Sequence, residues 1–576
     1  MERRVLLAIF LSFLVLYTYQ ALFSPAPRPA ATGTSPLNAP QSTEASRESA
    51  PAPVEPAAAT PVAPSATPLV GGLTERDIRV ETADVIAVFG NRGARLKSWR
   101  LKRYFDGKGA PLELVAGELG SAQPLPFSLA LPDEAVGRTL NDAVYEVSGA
   151  AATDPGAWQS SPLVFEYRDS SGLRAVKEFR ADPVPYVLEF RASVKIGDRS
   201  LAPAIQWGPA VSPSSREVGS YARQAGGLLY RDGTLERVGA DDLAERSAYE
   251  GNFRYAGVDD HYFVTMALAP GNSKVSFRPV GIPQAEGETD APVQLMAWSI
   301  ESREPETPMK FYAGPKDLEA LQAIDPAFVK AIDFGMFDFI VVPLLRALNW
   351  LNGYIGNYGW SIILLTVLIN AVMFPLRHKS VVSMRKMQEI QPEAKAIQER
   401  YAKLKSSDPA RQKMNQELMA LYRERGVNPA SGCVPMLLTM PVFFAFYAML
   451  TVAIELRGAP FFGWIHDLSR PDPLYIIPVL MGLTQIWQMR ITPQTGTDPA
   501  QQKMMMAMPI VFMVFFLWTS AGALLYWLVS NVWGIGQQYL TNYLIGPPTT
   551  RAARSPAERR MKRVGSGKTD AAAQGD

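Results

Sequence analysis

Three patterns of apolar and polar positions succeed one another along the 576 residues. The first is a basic start, Met1-Glu-Arg-Arg4, followed by an apolar run over 5–23. A helix of that length matches the roughly 30 Å hydrocarbon core of a bilayer, which predicts an anchoring span over 1–23. No small-x-small cleavage motif follows closely, so the run reads as an uncleaved anchor rather than a signal peptide. Residues 24–70 hold eleven prolines among many Ala, Ser and Thr. Such a stretch cannot bury enough apolar surface to offset its ordering entropy, so a disordered, extended tether is predicted over 24–72.

From 73 to 325 the period becomes two. Residues 84–89 and 94–104 flank Asn91-Arg-Gly93 as a hairpin, and 173–180 and 186–196 alternate around Asp182-Pro-Val-Pro185. Further strands are predicted over 261–267, 274–279 and 293–302. Many short strands with Pro and Gly punctuation predict a large antiparallel β-sandwich. Residues 326–352 then read as an interfacial amphipathic helix. Phe328, Ile332, Phe339, Leu344, Leu345 and Leu348 form its apolar side, broken by Asp333, Asp338 and Arg346, with Pro343 inside.

The third pattern is a series of apolar runs over 353–376, 433–455, 474–489 and 504–543. As one helix the last would measure about 60 Å, so Thr519-Ser-Ala-Gly522 is predicted to divide it into a helical pair. With the anchor, this makes six transmembrane helices, both chain ends on one side and the β-sandwich on the other. Between the first two runs lies the charged segment 377–432. There Met387, Ile390, Ala394, Ile397, Tyr401 and Leu404 recur at intervals of three and four, a heptad stripe. Ser407-Asp408-Pro409 supplies a helix start, Met414, Leu418 and Leu421 continue the stripe, and Gly426 ends it. A helical hairpin follows, bent at Pro392.

Composition adds little until it is divided. The net charge is +2, yet 377–432 carry twelve Lys/Arg against six Asp/Glu, and the tail 546–576 seven against three. Basic flanks mark the cytoplasmic side of membrane spans, so both segments are expected there. Ribosomal RNA is an alternative partner for the same charge. The single cysteine, Cys433, excludes an intrachain disulfide, and His261, His378 and His466 lie far apart, which argues against a histidine metal cluster.

Polar residues inside the apolar runs carry the candidate chemistry. Thr366 and Asn370 share a helix face, with Arg377 two turns further on. Gln485 and Gln488, then Thr519 and Ser520, then Ser530, Asn531 and Gln537 add polar groups at several depths. Helices this polar line a hydrated space or cross-link one another. Pro435, Pro441, Pro478 and Pro509 suit kinked helices around an irregular cavity. Met436, Met440, Phe443, Phe444 and Phe446 form a soft apolar face, suited to core, lipid or an adaptable sliding surface. A transporter would show internal repeats or paired broken helices, and neither is visible. For a membrane-bound enzyme the nearest constellation is Trp464, His466 and Asp467, more simply read as an interfacial belt. Glu301, Glu304 and Glu306 are more simply a solvated strand end.

Several long runs in register resemble the YidC/Oxa/Alb family of membrane protein insertases, in its Gram-negative form. They are Ser361-Ile-Ile with Thr366 and Met373-Phe-Pro-Leu376, Gly432-Cys-Val-Pro435 through Met440-Pro-Val-Phe443, and Glu455-Leu-Arg-Gly-Ala-Pro460. Trp464-Ile-His-Asp-Leu-Ser469, Thr497-Asp-Pro-Ala-Gln-Gln-Lys503 and Leu525-Tyr-Trp-Leu-Val-Ser-Asn531 complete the set. The resemblance implies a multi-pass protein of the bacterial inner membrane with cytoplasmic termini and the β-domain in the periplasm. It implies insertion and folding of membrane proteins, alone or beside the Sec translocon, without enzymatic chemistry, cofactor or metal, and the chain has no P-loop. The implied partners are nascent membrane proteins, the ribosome, the Sec translocon, the signal recognition particle receptor and lipids, but not DNA.

The implied substrate groove is lined by Thr366, Asn370, Arg377, Gln485, Gln488, Tyr526 and Trp527, and the implied slide by Met436, Met440, Phe443 and Phe444. Cytoplasmic docking is expected at Arg385, Lys386, Arg400, Lys403 and Lys405. The family carries a cation at the position of Asn370. Asparagine offers donors and an acceptor without charge, so Arg377, at the groove mouth, is expected to supply part of the positive potential. Tyr526 matches a groove aromatic of the family, while Trp527 stands in place of a second tyrosine.

Overall fold

The computed structural model describes residues 67–117, 123–211, 224–281, 294–304, 306–401, 410–427, 434–492 and 508–545. The expected anchor, the tether up to residue 66, Lys403, Lys405, Cys433 and the basic tail lie outside the described residues.

Alternating burial along the strands explains the β-domain. Leu173–Ala181 buries every second side chain, and so does Leu163–Asp169 beside it. The large sheet runs in order through Pro68–Val70, these two strands, Val187–Ile196, Met309–Pro315, Phe263–Gly281, Ala248–Asp259, Gly226–Arg231 and Thr234–Val238. A second sheet of four strands, beginning at Asp77–Glu81 and ending at Pro111–Glu113, packs against it. Phe89 of the small sheet meets Phe179 of the large one at 4.6 Å, and Trp99 Nε1 donates to the Ala313 carbonyl at 2.8 Å. Phe127 sits at the centre, in contact with the rings of Phe179, Phe190, Trp207 and Phe311.

The hairpin turn at 91–94 is specific. Gly93 (φ 71°) is followed by Ala94 (φ 47°), and a Cβ on Gly93 would lie 2.3 Å from the Asn141 carbonyl oxygen. The carbonyls this turn exposes are taken by Lys177, fully buried, whose Nζ donates to Gly93, Ala94 and Phe127. Burial pushes that amine well below its ordinary range.

Two expectations from the sequence are corrected here. The strands predicted at 261–267 and 274–279 are one strand, Phe263–Gly281. Ala269 (φ 46°) and Gly271 (φ 64°) form a bulge opposite Phe253–Tyr255, which absorbs Pro270 and its missing amide. Before the bulge the strand pairs with Met309–Pro315, after it with Gln294–Ser302. The helix predicted from 326 is instead a 3-10 turn, Pro326–Ala331, a second turn at Gly335–Phe337, and a helix only from Asp338. Gly335 (φ 69°) interrupts it, and Phe328 and Ile332 join the β-domain core.

The helical part comprises α1 (Asp338–Ile355), α2 (Tyr358–Glu389), α3 (Gln391–Arg400), α4 (Ala410–Glu424), α5 (Val434–Val452), α6 (Ile476–Ile491), α7 (Met508–Trp518) and α8 (Ala521–Ile545). Gly356 (φ 71°) ends α1, and the Asn357 side chain caps α2 by accepting from the Trp360 amide. Among the described residues α2 alone is long and apolar enough to cross a bilayer by length and composition. It continues unbroken past Arg377 to Glu389, so the charged segment opens as an extension of α2. Pro392 does not bend a helix there. It occupies the first turn of α3, where a missing amide leaves no bond unmade. Ala394 and Ile397 of α3 pack on Leu418 and Leu421 of α4. Glu393–Arg425 and Arg400–Glu417 ion pairs set the two helices antiparallel. The predicted division near 519–522 is also present: α7 ends in a 3-10 turn at Trp518, and the amides of Ala521 and Gly522 bond the carbonyls of Arg470 and Leu468.

The β-domain contacts the helices through the turn 260–263. Asp260 Oδ1 accepts from the Tyr262 and Phe263 amides at 2.8 and 2.7 Å, His261 Nε2 bonds the Thr451 carbonyl at 2.8 Å, and Arg457 lies over the Phe263 ring. Burial pushes the Asp260 carboxyl up to about 6, with Asp259 adding to the rise and Lys316 opposing it. The folded chain therefore holds a proton that the unfolded chain, near 3.8, has released. Stability from this group falls as pH rises from about 3.8 to about 6 and is level above it. Asp260→Asn keeps the acceptor and removes the titration. The gap between its unfolding midpoint and that of the wild type should therefore widen in favour of the variant across this window. A gap that does not change with pH would refute the assignment.

Candidate functional site

The site forms where α2, α5, the end of α6 and α8 converge. On α2, Thr366 and Asn370 are buried, 0% and 4% exposed. Thr366 Oγ1 donates to the Ile362 carbonyl at 2.6 Å, and Asn370 Nδ2 to the Thr366 carbonyl at 2.8 Å. Asn370 Oδ1 accepts from Arg377 Nη1 at 2.8 Å. The α-helical repeat brings these side chains onto one face, and the tilt of Cα–Cβ bonds toward the N-terminus directs Arg377 back toward Asn370.

Beside this chain of bonds is a cleft of about 360 Å³. From α2 it receives Arg377, Ser380, Val381 and Met384, and from α5 Thr439 and Phe443. The end of α6 adds Gln488 and Thr492. The C-terminal helix α8 supplies Tyr526, Trp527, Ser530, Asn531, Gly534, Gln537 and Gln538. Gly534 lets the Gln488 side chain lie close against α8: a Cβ there would stand 2.3 Å from Gln488 Nε2, so the amide would have to shift. Phe443 packs on the Trp527 ring at 5.0 Å, and Tyr526 stacks on Phe446 at 4.2 Å. The lining thus combines aromatic rings with amides and hydroxyls. Arg377 is its one charged lining residue among those described.

The expected groove residues divide. Arg377, Gln488, Tyr526 and Trp527 line the cleft, and Asn370 stands behind Arg377 as its hydrogen-bond partner. Thr366 supports Asn370 from the preceding turn, and Gln485 is not in the wall; its Oε1 is buried without a partner among the described residues. Sequence reasoning missed Ser380, Thr439, Thr492 and Gln538. Ser380 was within reach, three residues after Arg377 on the same helix. Of the expected slide, Phe443 reaches the cleft, while Met440 and Phe444 are exposed beside it, 38% and 44%; the Met436 side chain lies outside the described residues. Of the expected docking residues, Lys386 and Arg400 are exposed, Arg400 paired with Glu417. Arg385 departs from expectation: it is buried and donates to Asn542 Oδ1 at 2.7 Å, tying α2 to α8 beside the His378–Thr541 contact.

The alternative constellations are structural. Trp464 Nε1 donates to Asp472, Asp467 accepts from the Ser469 amide and hydroxyl, and His466 is exposed. Glu301, Glu304 and Glu306 are exposed. No group of three metal-ligating side chains occurs among the described residues. Among the described residues the cleft lining offers one cation, amides, hydroxyls and rings, groups suited to binding.

Two family descriptions and several relatives match this chain. Residues 77–347 match the family described as the YidC periplasmic domain, and residues 350–547 that described as the 60Kd inner membrane protein. A "Membrane protein insertase YidC" of Pelobacter propionicus is 35% identical, covering 95% of this chain and 100% of its own. That of Oleidesulfovibrio alaskensis is 36% identical, covering 93% and 98%. A solved structure, "Active YidC insertase crystal structure with the first transmembrane domain resolved", aligns over 83% of this chain and 95% of its own, at 17% identity and a TM-score of 0.33. With identity of this order sustained from end to end, this chain belongs to the YidC family of membrane protein insertases.

Proposed function

We propose that this protein is an inner-membrane insertase and chaperone that receives the hydrophilic flank of a nascent span in the α2–α5–α8 cleft while the hydrophobic segment passes into lipid. The observation that carries the reading is the mixed lining of the cleft, where Arg377, Gln488 and Ser530 border the same space as Phe443, Tyr526 and Trp527. An aqueous flank needs hydrogen-bond partners to leave water, and burying it without them costs several kcal/mol per group, on the order of 2–7. The apolar row Met440, Phe443 and Phe444 adjoins the cleft and offers the departing segment a surface comparable to lipid.

Six spans complete the arrangement: the N-terminal anchor, α2, α5, α6, α7 and α8, with both termini cytoplasmic and the β-domain periplasmic. The basic α3–α4 region and tail suit the cytoplasmic side, where the ribosome, the Sec translocon and the signal recognition particle receptor would meet them. Names of relatives, "Membrane protein insertase", support the same activity.

The test is site-specific photocrosslinking to a ribosome-stalled, single-span nascent chain. A probe at Gln488, in the cleft wall, is expected to capture the chain, and a probe at Leu368, which is exposed on another face of α2, is not. Capture only from Met440 and Phe444 would show that substrates bypass the cleft.

A further inference from the structure

The one charged side chain among the described lining residues of the cleft is held by a neutral one. Arg377 leaves α2 two turns, about 10 Å, beyond Asn370. An arginine near the end of an apolar helix gains most by extending toward water. This one turns the other way, into the helix bundle, and donates to Asn370 Oδ1 at 2.8 Å. Asn370 can receive it because its own amide is oriented. Nδ2 is spent on the Thr366 carbonyl, which leaves Oδ1 facing the following turns. The residue is 4% exposed, so its rotamer is held by the packed bundle as well.

Charge decides what this arrangement presents. Asn370 is an acceptor without charge, so this bond holds the guanidinium without neutralising it, and among the described lining residues there is no carboxylate. A guanidinium has five donors, and only one is satisfied by this bond. The rest suit the two-pronged geometry of a carboxylate.

We infer that Asn370 is a positioning residue: it draws the Arg377 guanidinium inward and sets the depth at which the cleft presents positive charge, so that carboxylate-bearing flanks are selected over neutral ones. This rests on the insertion reading above. Aspartate at 370 would keep the hydrogen bond and cancel the charge. Leucine would keep the bulk and release the arginine toward the mouth. Glutamine would keep a neutral acceptor.

The experiment uses the full chain reconstituted in liposomes and two single-span substrates whose flanks differ only in Asp against Asn. The readout is the ratio of acidic to neutral substrate inserted, which a general loss of folding does not move. Asn370→Asp and Asn370→Leu are each expected to lower the ratio about fivefold, and Asn370→Gln to keep it within about twofold, the scale of one charge-assisted contact. Wild-type selection should also weaken in high salt, as an attraction between charges that solvent ions can reach does. A wild-type ratio kept by both Asn370→Asp and Asn370→Leu would overturn the positioning role. Efficient insertion by the wild type with a ratio near one would overturn charge selection while leaving the insertase reading intact. Failure of the wild type to insert either substrate would overturn the insertase reading itself.

Discussion

Arg377→Gln lowers insertion of acidic-flanked substrates about tenfold relative to neutral-flanked ones, the expected loss when one charge-assisted bond of roughly 1.5–3 kcal/mol is replaced by a neutral one. Glutamine preserves donors, so the cleft stays polar and the comparison isolates charge. The effect should be large because Arg377 is the one charged residue among the described lining, with no second cation to share the load. It should also be larger than any change at Lys386, which is exposed and screened by solvent. The same substrate pair reports it. Equal impairment of both substrates would mean that Arg377 maintains the α2 geometry rather than selecting for charge.

Asp472→Ala is expected to cost stability, about 3 kcal/mol or more, because three donors converge on one buried carboxylate. Oδ1 accepts from Trp464 Nε1 at 2.8 Å and from the Leu474 amide at 3.0 Å, and Oδ2 from the Ile477 amide at 2.7 Å. The residue is 0% exposed. Tyr475, immediately before α6, makes no side-chain cap, so Asp472 supplies the acceptor that the first turn lacks, with its charge at the positive end of the helix. Alanine leaves the indole and amides without their acceptor and loosens the start of the helix that carries Gln488. Unfolding followed by tryptophan fluorescence in lipid nanodiscs should show a clearly lower midpoint, with Asp472→Asn in between. An unshifted midpoint for the alanine variant would remove Asp472 from the framework of the site.

Local signals in the chain were readable wherever their cause was local. The alternation in 173–180 and 186–196 appears as paired strands, because side-chain direction in a strand repeats every two residues. The stripe through Ala394, Ile397, Leu418 and Leu421 appears as the contact between α3 and α4. Pro270 and Pro392 were harder. A proline limits its own neighbourhood, but whether it ends a strand, forms a bulge or opens a helix depends on the partner strand or the packed turn beside it. Arg385 looked like a surface cation because its neighbours in sequence are charged. Its burial depends on Asn542, 157 residues away.

Period, composition and motif are properties of neighbouring residues, so the classes of element, the family resemblance and the set of polar residues placed in apolar helices are legible in the chain alone. Which of those polar groups share one cleft depends on how the helices pack. Gln488 enters it, its side chain lying against Gly534 of another helix, whereas Gln485 is not in the wall. Arg377 turns inward because Asn370 offers a fixed, uncharged acceptor at hydrogen-bond distance. Such choices are made by steric fit and hydrogen-bond geometry between elements far apart in the chain, and a linear pattern does not encode distance in space.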